Sequence, residues 1–246
     1  MSSFWDRYAR VRVSRRRALQ SGGVAALAFG ALNLAGCDRG GSSDDAEAGI
    51  TPRRGGTLRF GTTVPVAYGL DPHLEQGGGL PAVARLYGYP FHVDSANADA
   101  LVLDHAAAVE QPAPDVYVVR MGGHRFHAGG PAANRRVTSH DMVFSMRRYR
   151  DHPLVLNRWW HQNMLAAEGG SDERTVVIRT RQPYVYSLAE LGDINAGALI
   201  PQEAVESQLE LRTVDAGSGP MQLREAALPE RVVLERYAAY ARDSAY

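Results

Sequence analysis

The residues of this sequence whose types suit chemistry or ligand contact are few: Cys37, His124 and His127, the pair Trp159-Trp160, and two glycine-rich stretches, Gly77-Gly78-Gly79 and Gly217-Ser218-Gly219-Pro220. Two histidines separated by two residues can share a metal ion. Here Gly122, Gly123, Gly129 and Gly130 surround them and no third histidine, cysteine or acid stands at motif spacing, so no metal site is expected. Serines, histidines and acids are present without any local pairing of a nucleophile with its base. No G-x-S-x-G elbow, P-loop or dinucleotide fingerprint occurs, so no catalytic residue and no cofactor are expected. The tryptophan pair offers large rigid surfaces with polar edges, suited to a ligand pocket or to a core. The glycine stretches offer bare backbone that a ligand or another strand can approach closely, or simply a turn.

The elements that must position these residues belong to an ordinary globular chain of 246 residues, 45% hydrophobic and 22% charged. Basic and acidic groups balance at 27 each, which gives no indication of a nucleic-acid partner. Every one of the 27 cations is arginine. Residues 1–36 hold six arginines and one acid, Asp6, leaving 21 basic against 26 acidic groups in the rest. That basic end reads as an address. Ser14-Arg15-Arg16-Arg17-Ala18-Leu19 precedes an uncharged stretch rich in Ala, Leu and Gly that is too short and too weakly apolar for a good spanning helix. The arginine cluster resembles a twin-arginine export signal; Ala18, where an aromatic is usual, keeps the Sec route open. Leu34-Ala35-Gly36-Cys37 resembles the lipobox of bacterial lipoproteins, which implies cleavage before Cys37 and acylation of its sulfur. Two or three acyl chains would anchor the protein stably, since each buried CH₂ contributes about 0.8 kcal/mol and one chain alone is marginal. Residues 37–54 are almost free of large apolar side chains and read as a flexible tether, with the folded part at 55–246.

Within that part, strands are expected at 57–61, 174–180, 198–200, 221–225 and 231–235, and helices at 154–165, 184–191 and 202–208. Residues 106–110 and 115–121 flank Gln111-Pro112-Ala113-Pro114 and are expected to pair as a hairpin, with Val116 and Val118 on one face. Thr138-Ser139-His140-Asp141 fits a capping box, and Met142, Met146 and Tyr149 follow at helical spacing with Val143 beside them. Arg147, Arg148 and Arg150 fall in the last turns of that helix, where a solvated helix end is the expectation. Strands and helices interleave without a regular βαβ period, so the fold class is mixed α/β, of the α+β kind.

The motifs then fall into a familiar order. Gly55-Gly56-Thr57-Leu58-Arg59-Phe60, Leu70-Asp71-Pro72-His73, Asp115 to Arg120, Phe126-His127-Ala128-Gly129-Gly130-Pro131, Val137 to Ser145, and Gly217-Ser218-Gly219-Pro220 followed by Val233-Leu234-Glu235-Arg236 resemble the ordered landmarks of family 5 solute-binding proteins. These are the oligopeptide, dipeptide and nickel-type receptors of ABC importers. The resemblance implies a periplasmic-binding-protein-like lobe with an inserted α+β subdomain, and a receptor rather than an enzyme. It also implies a peptide or similar small solute as ligand, ABC permease subunits as partners, and a place outside the cytoplasm. Ser218 and Met221 depart from the Gly-Thr-Gly-Pro-Tyr usual in the family. Carried over by position, the implied ligand-binding residues are Gln76, Gly77 and Gly78, with main-chain groups open to an extended peptide, then Gly217, Ser218 and Gly219, and Trp159 and Trp160. Family members continue into a second lobe that this sequence does not contain, so a fragment is expected. The alternatives are an exported cofactor-carrying enzyme, suggested by the twin-arginine-like leader, and a fragment that binds nothing.

Overall fold

The computed structural model describes residues 55–66, 68–93, 100–155, 162–170, 172–206 and 211–240. The leader, Cys37, the tether, Trp159 and Trp160 lie outside them. In chain order the elements are α1 (Leu80–Leu86), β1 (Phe91–Val93), β2 (Leu101–Leu103), β3 (Ala106–Ala113), β4 (Val116–Met121), α2 (Ser139–Asp151), β5 (Met164–Gly169), β6 (Thr175–Thr180), α3 (Ser187–Leu191), α4 (Gln202–Glu206), β7 (Met221–Ala227) and β8 (Arg231–Arg236).

The main sheet has the order β3-β4-β6-β5, every neighbouring pair antiparallel. It starts from the expected hairpin: β3 and β4 pair with Val109 opposite Val119 and Glu110 opposite Val118, and the register shifts between Glu110 and Ala113, where Pro112 interrupts the ladder on an edge strand. Period-2 alternation sends Tyr117, Val119 and Met121 of β4 and Val176 and Ile178 of β6 to one buried face, leaving Val116 and Val118 together on the half-buried side. Helix α2 packs against β5 and β6 on the buried face, and its Met142 and Met146 join Phe126, Val137, Met164 and Leu191 in the first core cluster. A second cluster gathers Leu70, Val83, Leu86 and Tyr87 around α1 with Ala198, Ile200, Ala204 and Leu211, and the inner sides of the β7–β8 hairpin cover it.

Several expectations need correction. Residues 57–61 form no strand; Leu58 and Phe60 are exposed, and among the described residues no strand lies beside them to complete a ladder. The stretch 154–165, expected as helix, ends in β5, because Met164 and the following residues find the edge of β6 to pair with. Residues 198–200 contribute one isolated bridge, Leu199 with Gly88, in place of a strand.

The capping box of α2 is present. The Thr138 backbone N–H donates to Asp141 Oδ2 at 2.8 Å and the Thr138 hydroxyl contacts the same oxygen at 2.9 Å. Asp141 has a second role: the Arg135 guanidinium donates to both of its oxygens, at 2.7 and 2.9 Å, and its Nε and Nη2 reach Glu203 of α4 at 2.7 and 2.8 Å. One planar cation thus joins the start of α2 to α4. Replacing Asp141 with Ala removes a cap and leaves Arg135 half-paired, so the midpoint of urea unfolding should drop by the equivalent of about 2–3 kcal/mol, whereas His140→Ala, an exposed neighbour, should leave it within about 0.5 kcal/mol.

Candidate functional site

Two of the three stretches singled out as ligand-contacting are brought to the ends of one helix. The Gly77–Gly79 loop leads into α1, with Pro81 in its first turn, and Gly217–Gly219 packs against its last residue and the one beyond. Seven residues of helix span about 10 Å, so the two stretches are neighbours in space although some 140 positions separate them.

The loop before α1 is built by its own polar groups. The buried Glu75 carboxylate accepts from three backbone N–H groups: Tyr68 at 2.8 Å, Gly77 at 2.7 Å and Gly79 at 3.2 Å. The Gly78 N–H donates to Pro65 O at 3.2 Å, and Asn195 Nδ2 ties down the carbonyls of Pro72 and Glu75. The N–H donors of Gly77 and Gly78 are therefore occupied. This corrects the expectation that they face an extended peptide: what the loop presents outward is the exposed Gln76 side chain, next to Val64, which lies against Gly77 and Gly78.

The Leu70-Asp71-Pro72-His73 motif fixes this loop to the rest of the molecule. Asp71 receives the Arg148 guanidinium on both oxygens, at 3.1 and 2.6 Å, and the His73 N–H on Oδ1. The arginine at the end of α2 is thus not solvated, as its place in the sequence suggested, but an 11% exposed partner in a buried ion pair. His73 is fully buried; its Nε2–H donates to Ala198 O at 3.1 Å and its Nδ1 accepts from Arg148 Nη1 at 2.9 Å, which requires the neutral ring. Burial, reinforced by the Arg148 charge and only partly opposed by Asp71, lowers its pKa from 6.5 to about 4.

At the other end of α1, Gly217 and Gly219 are required by close approach. A Cβ on Gly217 would stand 2.0 Å from Leu86 O, and one on Gly219 2.5 Å from Tyr87 O. The segment is held by His127, whose Nδ1 lies 2.6 Å from Asp215 Oδ1 and whose Nε2 lies 2.9 Å from Gly219 O, while its backbone N–H donates to Gly217 O. Asp215 in turn accepts from the N–H groups of Gly217 and Leu223. Gly217, Ser218 and Gly219 are all buried, and the Ser218 hydroxyl makes no hydrogen bond. His124 and His127 do not act as a pair: His127 joins Asp215, and His124 turns to Asp104 and His105. Sequence reading missed this because the partners come from 20 and 88 positions away. Two open grooves among the described residues, of about 330 and 530 Å³, are lined by residues of α2 and α4 and their neighbours, and neither includes Gln76, Gly77, Gly78 or the Gly217–Gly219 segment.

No family model and no curated protein matches the chain. Solved structures do. The binding protein MoaA of A. tumefaciens R10, in complex with mannopinic acid, is 26% identical with a TM-score of 0.65, over 72% of this chain and 36% of that one. The periplasmic murein tripeptide binding protein MppA, in an unliganded open form, is 17% identical with a TM-score of 0.61, over 72% and 37%. A nickel ABC transporter protein from Bacillus halodurans is 16% identical with a TM-score of 0.58, over 72% and 34%. The chain has the periplasmic-binding-protein fold over the part it shares with these structures. It spans about a third of the length of each of these structures.

Two outcomes follow from this geometry. Gly217→Ala forces a methyl group against a main-chain carbonyl, so thermal unfolding should show a loss of about 2–4 kcal/mol, far more than Gly123→Ala, where the added atom meets open space. Because the unfolded chain protonates His73 below about pH 6.5 and the folded chain does so only near pH 4, this residue lowers stability as pH falls through that window and contributes nothing above it. Guanidinium unfolding at pH 7 and 4.5 should show a loss of roughly 2–3 kcal/mol that shrinks in His73→Gln.

Proposed function

We propose that this chain is part of the extracytoplasmic solute receptor of an ABC importer, anchored to the membrane by acyl chains on Cys37 and presenting a peptide or similar small solute to permease subunits. The observation that carries the reading is the match of the folded part to MoaA over 72% of the chain, at 26% identity, with the family 5 motifs in order along it. The neighbours are described as binding proteins and transporter components, which supports a receptor in preference to an enzyme. Export by the twin-arginine or the Sec route and a 37–54 tether suit such a role: a receptor held near the membrane meets its permease at a raised effective concentration. Gln76, beside Val64, is the exposed side chain of the α1 loop that we assign to solute contact. Gly217, Ser218 and Gly219 shape that surface from behind by fixing the other end of α1. Trp159 and Trp160 are assigned to the same contact on the family resemblance alone.

In the native host the protein should fractionate with membranes and carry an acylated Cys37 by mass spectrometry, and Cys37→Ala should move it to the soluble fraction; an unmodified Cys37 and unchanged fractionation would refute the anchor. Capture is tested separately by thermal shift of the full chain with pools of peptides of about two to five residues and with mannopinic acid. A saturable rise in melting temperature that is reduced in Gln76→Ala supports capture, and no saturable shift with any of them counts against it.

A further inference from the structure

We propose that Asp104, His105 and His124 form a binding site for a divalent transition-metal ion, with His92 as a fourth ligand on its open side. The residues come from three places. Asp104 and His105 stand in the link between β2 and β3, which the Asp104 and His105 N–H groups fasten to Pro90 O and Tyr89 O. His124 lies in the irregular stretch after β4, and His92 is the middle residue of β1. The carboxylate is only 2% exposed. Its Oδ1 is 3.3 Å from His105 Nδ1 and 3.9 Å from His124 Nε2, and its Oδ2 is 3.6 Å from His92 Nε2. One ligand atom from each of Asp104, His105 and His124 lies within 4.8 Å of the other two, and among the described residues this is the one such group of three.

The second observation is His105 itself. Its ring has no exposed surface; Nδ1 is turned to Asp104 Oδ1 at 3.3 Å, and Nε2 makes no hydrogen bond. A polar nitrogen buried without a hydrogen bond costs free energy, and the cost is removed if it ligates an ion. The ring is wedged between Gly88, where a Cβ would stand 2.0 Å from His105 Cε1, and the His124 ring, stacked on it at 4.2 Å between centroids and 20° between planes. Two imidazoles beside one carboxylate make a nitrogen-rich ligand set, the chemistry that suits Zn²⁺ and its neighbours in the first transition row and not Mg²⁺ or Ca²⁺.

Ligand atoms around a tetrahedral zinc ion stand about 3.4 Å apart, so Asp104, His105 and His124 must contract by up to about 1.4 Å, and His92, outside their 4.8 Å set, must move further. His92, with a side chain 40% exposed, has room to turn inward, and His124, stacked on the His105 ring, must shift toward Asp104 while Asp104 and His105 stay fixed. The Tyr240 hydroxyl donates to Asp104 Oδ1, and the Tyr89 N–H donates to Oδ2 at 3.3 Å. Such outer partners orient a ligating carboxylate. Tyr240 follows β8, so an ion here braces that segment against the β2–β3 link, a structural role independent of solute capture.

The test is a titration of the chelator-treated full chain with Co²⁺ and then Zn²⁺. The expected result is a visible absorption band of low-symmetry Co²⁺ that saturates at about one ion per chain and is bleached by Zn²⁺, with a rise in melting temperature on adding Zn²⁺ that EDTA reverses. His124→Gln should weaken Zn²⁺ binding by at least tenfold, and His140→Gln, an exposed imidazole on α2, should leave it unchanged. If His124→Gln does not fold, His92→Gln, at a half-exposed position, takes its place with a weakening of several-fold. Substoichiometric binding, or equal affinity in the histidine variants and the parent, overturns the proposal.

Discussion

The bidentate pair between Asp71 and Arg148 is the interaction on which the arrangement rests. Arg148 belongs to the helix that closes the four-stranded sheet, and Asp71 belongs to the loop that starts the second core, so one ion pair bolts two hydrophobic clusters together. Removing two charges from water is costly, and a hydrophobic pair of the same size often gives equal stability. What this pair supplies is direction. A guanidinium that meets both carboxylate oxygens, while one more of its N–H donors goes to a neutral histidine, admits only a narrow range of angles between the loop and the helix. His73 then passes the constraint on to the Ala198 carbonyl, next to the bridge between Leu199 and Gly88.

Helix α1 is the clearest beneficiary. Seven residues cannot sustain a helix in water on propensity alone. Its first turn is reached through a loop wrapped around the Glu75 carboxylate, and its last turn is covered by glycine backbone at a distance that no side chain would permit. The two glycine-rich stretches thus act less as open surfaces than as end-plates, and the ligand-facing chemistry is left to exposed side chains beside them.

Sequence patterns revealed the elements whose signals are local. The Thr138–Asp141 box and the Met142, Met146, Tyr149 spacing located α2, and the alternation either side of Gln111–Pro114 located the β3–β4 hairpin. Met221 to Arg236 read as two strands and pair as β7 and β8. Elements defined by a distant neighbour were illegible. Met164-Leu165-Ala166-Ala167 has the composition of a helix and becomes a strand only because β6 offers an unpaired edge. The reverse holds for residues 57–61, which have strand-like alternation and no adjacent edge among the described residues. The site followed the same rule. The motifs pointed to two loops that meet at the ends of α1, but whether a glycine faces solvent or a helix end is decided by contacts some 130 positions away, and the companions of His124 and His127 lay beyond any spacing rule.

The absence of lysine has a consequence at the alkaline end of the pH scale. The cations in the pairs Asp71–Arg148, Arg135–Asp141 and Arg135–Glu203 are guanidinium groups, which do not release their protons in a protein. The buried hydroxyls of Tyr87 and Tyr89 are themselves pushed well above the usual phenol range, chiefly by desolvation. A lysine-based bolt would loosen as the solution approached pH 10 to 11, roughly where an ammonium titrates. This one keeps its charge through strong base, so the frame that holds α1 in place is built from parts with no alkaline switch.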